Sequence, residues 1–136
     1  MPVKSILMLK RKQGMTPEEF RTAYETRHRP TALRLFGHLW IAYRRNYLGP
    51  ASSFAAAAGT PTNDDASETL CPYDVITEII YRDMDALEES NRIAAIAENI
   101  RLLAEEEESM FDREGCYAAV VEVVEENLSG AERSSD

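Results

Sequence analysis

The amino-acid sequence predicts an α+β fold of the ferredoxin-like type, with the order strand, helix, strand, strand, helix, strand. Two observations support this prediction. Four short segments are rich in aliphatic, β-branched and aromatic residues, and two helical segments lie between them. The predicted strands span residues 3–11, 39–48, 72–82 and 115–124. With 136 residues, the chain is long enough for one domain with one core.

The first strand is apolar on both faces, with Val3, Leu7 and Leu9 on one face and Ile6 and Met8 on the other. The last strand shows the same pattern. A strand that is apolar on both faces needs a cover on each side. Because the helices of this fold cover only one face of the sheet, we expect a symmetric homodimer in which two sheets pack face to face.

The first helix has a strong start signal at Thr16. Threonine suits the N-cap position, Pro17 suits the first helical position, and Glu19 completes a capping box. The sequence therefore predicts a helix that begins directly after Thr16.

Further along this helix, Phe20, Tyr24 and His28 recur every four residues and so share one face. Pro30 disfavours helical geometry at the residue before it, and we expect the helix to break or kink there. A second short helix is predicted over residues 31–37. A titratable histidine is thus placed at a helix break, close to an aromatic and basic strand.

In that second strand, alternation places Trp40, Arg44 and Asn46 on one face and Tyr43 and Tyr47 on the other. An arginine beside an aromatic ring could hold a carboxylate, phenolate or enolate. The alternative is that the arginines form surface or dimer salt bridges.

In the third strand, Glu78 shares a face with Ile76 and Ile80. Burial would raise the pKa of this carboxyl and make it a proton carrier, whereas an arginine partner would make it structural. After this strand, Asp83 is predicted to cap a helix that breaks between about residues 91 and 98.

Three segments are predicted to lie on the surface. Residues 50–70 are rich in small and polar residues and form an inserted loop, which could close over a pocket as a lid. Residues 105–108 are four consecutive glutamates, which predict a solvated helix face. We expect one domain over residues 1–126, followed by a flexible polar tail over residues 127–136.

Composition argues against several classes of function. The net charge of −9 makes nucleic-acid binding implausible, because phosphate contacts need clustered lysines and arginines. No apolar run approaches the roughly 20 residues that span a bilayer, and no signal-peptide pattern is evident. Cys71 and Cys116 are far apart, so we expect a reduced, cytoplasmic protein. With two histidines and no glycine-rich nucleotide loop, no cofactor or metal is expected.

Several motifs together resemble the EthD-like proteins of the dimeric α/β-barrel superfamily. The opening motif runs from Lys10-Arg11-Lys12 through Gly14-Met15-Thr16 and Glu18-Glu19-Phe20 to Tyr24 and His28-Arg29-Pro30. The strand Tyr43-Arg44-Arg45-Asn46-Tyr47 and the segment from Glu105 to Arg113 fit the same pattern. The resemblance covers about residues 3–125 apart from the inserted loop, and it implies a pocket between sheet and helices in each subunit.

The resemblance implies a cofactor-independent enzyme for acid–base chemistry on a small aromatic, lactone or polyketide-like substrate. His28 matches the histidine at the end of the family's first helix and is the predicted proton carrier. Tyr24, one turn earlier, is predicted to hydrogen-bond a substrate oxygen. The predicted substrate-binding residues are Trp40, Arg44, Asn46, Glu78 and Phe111.

The sequence is also compatible with other roles for these residues and with other functions. His28 could be a core histidine that stabilises the helix break, and Tyr24 could be a core residue whose hydroxyl contacts water. Trp40 and Phe111 could serve as apolar wall or core, and His38 is expected to be exposed. At the level of function, the alternatives are cofactor-free oxygenation of a phenol and a non-catalytic, ligand-binding dimer of an oxidative pathway.

Overall fold

The computed structural model describes residues 1–57 and 71–129. In it, one antiparallel sheet of four strands has the spatial order β2-β3-β1-β4. The strands are β1 (Val3–Leu9), β2 (Trp40–Tyr47), β3 (Val75–Tyr81) and β4 (Tyr117–Val121). This is the α+β, ferredoxin-like architecture that the sequence predicted.

The helices lie before β2 and before β4, with one short helix after β2. In chain order they are α1 (Pro17–Ala23), a π-helical turn (Tyr24–His28), α2 (Arg29–Phe36), α3 (Phe54–Ala57), α4 (Met84–Ala94) and α5 (Ala97–Met110). Two 3₁₀ turns span Gly37–Leu39 and Arg113–Gly115. Within residues 1–57 and 71–129, no helix is long and apolar enough to cross a membrane.

The predicted helix signals are confirmed. The Thr16 hydroxyl accepts from the Glu19 amide at 3.0 Å, and the Glu19 carboxylate accepts from the Thr16 amide at 2.8 Å. Asp83 caps α4 by accepting from the Ala86 amide at 2.8 Å. The helical structure is interrupted at residues 95–96, between α4 and α5, inside the predicted interval.

Of the two outcomes predicted before Pro30, a break or a kink, the break is wrong, because helical turns continue without a gap from Pro17 to Phe36. The second helix predicted over residues 31–37 is part of α2 (Arg29–Phe36). The five residues Tyr24–His28 widen into a π turn in which the Arg29 amide donates to the Tyr24 carbonyl. A wide turn leaves room for the pyrrolidine ring of Pro30, which in a regular α-helix would clash with a backbone carbonyl of the preceding turn. Proline also has no amide proton to donate to that turn. Helix α2 then runs on to Phe36.

The predicted face of Trp40 is also wrong. The pairing of β2 with β3 shifts between Trp40 and Ala42, which marks a β-bulge. Because of the extra residue, Trp40 pairs with Tyr81 and lies on the helix-covered face, as does Tyr43, which pairs with Ile79. Arg44 and Asn46 lie on the opposite face, as the alternation required relative to Tyr43.

The strands are shorter than predicted. Beyond β1, the Arg11 amide and guanidinium bind Asp74, with a distance of 2.7 Å from the amide nitrogen to Oδ2. Arg11 itself forms only an isolated antiparallel bridge, with Phe111. Strand β4 ends at Val121 because its partner there is Lys4, at the very start of β1.

The core lies between the sheet and the helices. One cluster joins β1, β3 and α1 to the end of α5, and it contains Leu9, Phe20, Tyr24, Val75, Met110 and Phe111. A second cluster at the other end of the sheet contains Leu39, Ile79, Tyr81 and Ala86. Residues 58–70 and 130–136 lie outside the described residues, so most of the predicted inserted loop and tail does too.

Candidate functional site

A cavity of about 380 Å³ opens between the helix layer and the sheet. We call it the first cavity. One of its walls is aromatic and consists of Tyr24, Phe36, Trp40, Tyr43 and Tyr81. His28 lines it from the π turn, and Leu87, Ser90, Asn91 and Ala94 line it from α4. The resemblance to the EthD-like proteins implies a pocket at this position, between sheet and helices.

The imidazole of His28 is held by a carboxylate from α5. Its Nδ1 lies 2.9 Å from Oε1 of Glu106, and only 14% of the His28 side chain is exposed. Because a carboxylate oxygen accepts, Nδ1 of His28 is the donor in this contact. The ring also packs edge-on against Phe111 and close to Tyr24, with centroid distances of 5.7 and 5.4 Å.

Glu106 is a candidate site residue that the sequence did not indicate. The four glutamates 105–108 were predicted to form a solvated face, but Glu106 is only 8% exposed. Its second carboxylate oxygen accepts from the hydroxyl of Thr31 on α2. A signal was present in the spacing, because Glu106 lies four residues before the buried Met110 and therefore shares its helix face.

Tyr24 is a buried residue whose hydroxyl is already engaged. Its oxygen lies 2.7 Å from the hydroxyl of Thr77 on β3. Burial raises the pKa of Tyr24, although the hydrogen bonds with Thr77 and Tyr43 act in the opposite direction. Burial also raises the pKa of Tyr43 strongly. Both hydroxyls therefore keep their protons at neutral pH and can donate a hydrogen bond.

The two other aromatic candidates differ in their surroundings. Trp40 stacks on Phe36 at a centroid distance of 6.1 Å and approaches Tyr43 at 4.8 Å, so it forms part of the cavity wall. Phe111 is 7% exposed and belongs to the core cluster, where its ring contacts Phe20, Tyr24 and His28.

The structure places Arg44, Asn46 and Glu78 on the sheet face that points away from the helices, and not beside His28. Glu78 forms an ion pair with Lys4 and accepts from the Asn46 amide at 2.9 Å. The hydrogen bond from Lys4, followed by that from Asn46, lowers the pKa of Glu78. The raised pKa that a proton carrier would need is therefore absent. Lys4 takes the place of the arginine partner that the sequence analysis had considered.

On the helix-covered face, the arginine nearest to the aromatic wall is Arg45. Its guanidinium binds Glu25 of the π turn through Nε and Nη2, each at 2.9 Å from a carboxylate oxygen. The Tyr47 hydroxyl donates to the same carboxylate at 2.6 Å. The hydrogen bond from Arg45 is the main cause that lowers the pKa of Glu25 from 4.5 to about 2. This network ties the π turn to β2.

Replacing Glu25 by glutamine is expected to remove an acid-sensitive part of the stability. Because the folded pKa lies below the ordinary value, the pair stabilises the fold above about pH 4.5, and this contribution disappears as the pH falls towards 2. We expect Glu25→Gln to lower the free energy of unfolding at pH 7 by about 1–3 kcal/mol.

Urea denaturation of wild type and Glu25→Gln between neutral and acidic pH measures this effect. The difference between the two proteins should shrink below about pH 4.5. The matched control is Glu18→Gln, an exposed residue of α1, which should change stability by less than about 0.5 kcal/mol. A Glu25→Gln effect that is equally large at all pH values would contradict the assignment of this network.

The remaining histidine and the two cysteines do not line the first cavity. His38 is exposed, as expected, and Cys71 is exposed too. Cys116 is a free, half-buried cysteine. Over the described part of the chain, no three His, Cys, Asp or Glu residues are grouped so that they could hold a metal ion.

Comparison with known sequences gives one family. The sequence model described as the EthD domain matches residues 12–114. This range includes the π turn, the aromatic wall and the Glu106 helix. Among curated proteins, no sequence match is found.

Comparison with solved structures gives the same fold. An EthD family protein from Bacillus halodurans is 14% identical, with a TM-score of 0.59 over 91% of this chain and 100% of that one. An EthD-like protein from Ralstonia eutropha is 17% identical, with a TM-score of 0.54 over 93% of this chain and 95% of that one. A NIPSNAP family protein from Agrobacterium tumefaciens is 10% identical, with a TM-score of 0.52 over 91% and 94%.

Proposed function

The chain belongs to the EthD domain family, and we propose that it is a cofactor-independent enzyme that moves protons on a small aromatic or polyketide-like carbonyl compound. The observation that carries this proposal is the His28–Glu106 pair at the wall of the first cavity. A base fixed by a carboxylate and facing an apolar cavity is what proton abstraction next to a carbonyl requires.

In the proposed step, Nε2 of His28 takes a proton from the carbon next to the carbonyl. The C–H electron pair forms a carbon–carbon double bond, and the carbonyl oxygen becomes an enolate. Glu106 stabilises the resulting imidazolium through the Nδ1 hydrogen bond. Return of the proton to another carbon gives isomerisation, and loss of a leaving group gives elimination.

Tyr24 and Tyr43 are the proposed donors to the enolate oxygen. Both line the first cavity with His28, and their raised pKa values keep the hydroxyl protons in place at neutral pH. Tyr24 is hydrogen-bonded to Thr77 and to Tyr43. To bind the substrate oxygen, one of the two tyrosine hydroxyls must exchange such a hydrogen bond for one to the ligand. The developing negative charge favours that exchange, because hydrogen bonds to charged oxygens are stronger.

The aromatic wall supports the proposed substrate class. Phe36, Trp40 and Tyr81 offer flat apolar surface, and stacking or edge contacts with a ligand ring are favourable in such a pocket. Among the described residues that line the first cavity, those that are charged or titrate near neutral pH are His28 and Glu107, and Glu107 is already paired with Arg113. The rest of the lining therefore favours an uncharged ligand.

A test that needs no knowledge of the natural substrate is deuterium exchange into 2-tetralone. Its C1 protons are acidic because they lie between a carbonyl and an aromatic ring, and their loss in D₂O is followed by ¹H NMR. We expect the wild-type chain to accelerate this exchange clearly above buffer. A wild-type rate equal to that of buffer, at protein concentrations where 2-tetralone binds, would contradict the proposed chemistry.

We also propose that the chain works as a homodimer. The sheet face away from the helices carries the apolar residues Ile6, Met8, Ile76, Ile80 and Val121, all of which are only half-buried. Tyr117 on the same face is 57% exposed. A second copy packed on this face would remove these side chains from water.

Ile76→Glu is expected to dissociate the proposed dimer. A glutamate in the middle of the sheet face would meet its own symmetry mate or an apolar surface, and both outcomes are unfavourable. Sedimentation velocity should show a dimer for wild type and a monomer for Ile76→Glu, with β-sheet content unchanged by circular dichroism. The control is Ile100→Glu on the exposed side of α5, which should remain dimeric. A monomeric wild type would contradict the proposal.

A further inference from the structure

A second cavity, of about 530 Å³, also has His28 in its lining. Its own lining includes Leu9, Phe111, Cys116 and Tyr117. It shares Leu7, His28, Glu107 and Ala118 with the first cavity. The proposed base therefore belongs to the boundary between two cavities, and not to the end of one.

The walls of the second cavity are suited to an uncharged, apolar group. Leu7, Leu9 and Ala118 come from the sheet, and Phe111 follows α5. The Cys116 thiol is engaged with the backbone of Lys10, whose amide nitrogen lies 3.2 Å from Sγ. Burial raises the pKa of this thiol, so it stays neutral.

The guanidinium that lines the second cavity, that of Arg113, is already paired with carboxylates. Arg113, whose side chain is half exposed, forms ion pairs with Glu107 and Glu108, each at 3.2 Å. Glu114 is exposed. A guanidinium that already has two carboxylate partners is a poor receptor for a further anion, so charge recognition is not what this cavity offers.

We propose that the second cavity is a binding subsite, and that the ligand spans both cavities with its reacting polar centre beside His28. This inference rests on the proposed function. The ligand it requires carries an apolar group on each side of a central oxygen function. A molecule with its polar group at one end would leave one of the two cavities empty.

A matched pair of phenols tests the inference. 2-Phenylphenol carries its hydroxyl next to the junction of two rings, whereas phenol has one ring only. Calorimetric titration should show that 2-phenylphenol binds wild type at least roughly tenfold more tightly than phenol, because a second ring is buried. Equal affinities, or no binding of 2-phenylphenol, would overturn the inference.

Two filling variants locate the rings. Ala94→Leu narrows only the first cavity, and Cys116→Leu narrows only the second. A ligand that spans both cavities loses affinity in both variants, by roughly tenfold each, whereas a ligand in one cavity responds to one variant. Ala94→Ser and Cys116→Ser keep the volume nearly constant and are the controls. Sensitivity of 2-phenylphenol to one filling variant alone overturns the inference.

A measurement on wild type covers the case in which a filling variant does not fold. Intermolecular NOEs from bound 2-phenylphenol should reach the methyl group of Ala94 and the methyl groups of Leu9 together. NOEs on the Ala94 side alone would overturn the subsite. The 2-tetralone exchange assay tests the proposed function separately. If the protein accelerates exchange but 2-phenylphenol does not span both cavities, only the subsite proposal is wrong. If 2-phenylphenol spans both cavities but exchange is not accelerated, only the proposed chemistry is wrong.

Discussion

Replacing His28 by glutamine is expected to lower the 2-tetralone exchange rate by roughly 10²–10⁴-fold, the usual contribution of a positioned general base. Glutamine has a similar length and can still hydrogen-bond to Glu106. The lower exchange rate therefore reports the missing base more than a change in the shape of the first cavity. Ligand binding in the first cavity should change much less than the rate, because the aromatic wall remains. The rate is measured by ¹H NMR in D₂O.

The chain offers a matched control for this experiment. His38 is the second of two histidines and is exposed in the 3₁₀ turn before β2, outside the lining of the first cavity. His38→Gln should exchange 2-tetralone at the wild-type rate. If both variants keep the wild-type rate, His28 is a structural histidine, and the non-catalytic, ligand-binding interpretation becomes the better one.

Replacing Phe111 by alanine is expected to lower the free energy of unfolding by about 3–5 kcal/mol. The ring is buried and contacts Phe20, Tyr24 and His28 at centroid distances of 5.7, 5.9 and 5.7 Å. Domains of this size have a total stability of roughly 5–15 kcal/mol, so the loss is a large fraction of the whole. Urea denaturation measures it.

The same substitution should also impair the site, because it removes the ring against which the His28 imidazole packs. The control is Phe111→Leu, which keeps most of the apolar volume and should cost less than about 1.5 kcal/mol. If Phe111→Ala and Phe111→Leu were equally stable and both close to wild type, Phe111 would be a lining residue and not part of the core.

Much of the fold follows from local sequence signals. The element order, the capping box at Thr16, the cap at Asp83 and the break between α4 and α5 depend on spacings of a few residues, which the sequence displays directly. The apolar character of β1 on both faces also predicted a face that one chain leaves uncovered.

The errors arise where one extra residue changes the phase of a repeat. At the bulge between Trp40 and Ala42, an added residue turns the tryptophan to the helix-covered face. In the π turn, an added residue lets the helix pass Pro30 without a break. Alternation and helical periodicity assume a constant phase, so neither pattern can indicate such insertions by itself.

The sequence identified one half of the proposed catalytic pair and missed the other. His28 stood out because imidazole titrates near neutral pH. Glu106 did not, since it lies within four consecutive glutamates, and only its distance from Met110 indicated a buried position. Arg44, Asn46 and Glu78 were plausible by chemistry, but the choice between the two sheet faces needs the packing of the helices.

We propose that Glu106 holds the proton on Nδ1 of His28, so that Nε2 faces the ligand as a free base. Long-range ¹H–¹⁵N correlation NMR of the imidazole at alkaline pH, with and without 2-tetralone, observes both nitrogens. We expect a protonated Nδ1, an unprotonated Nε2, and a shift of the Nε2 resonance when the ligand binds. A proton on Nε2, or an imidazole spectrum that bound ligand leaves unchanged, would show that His28 is not the proposed base.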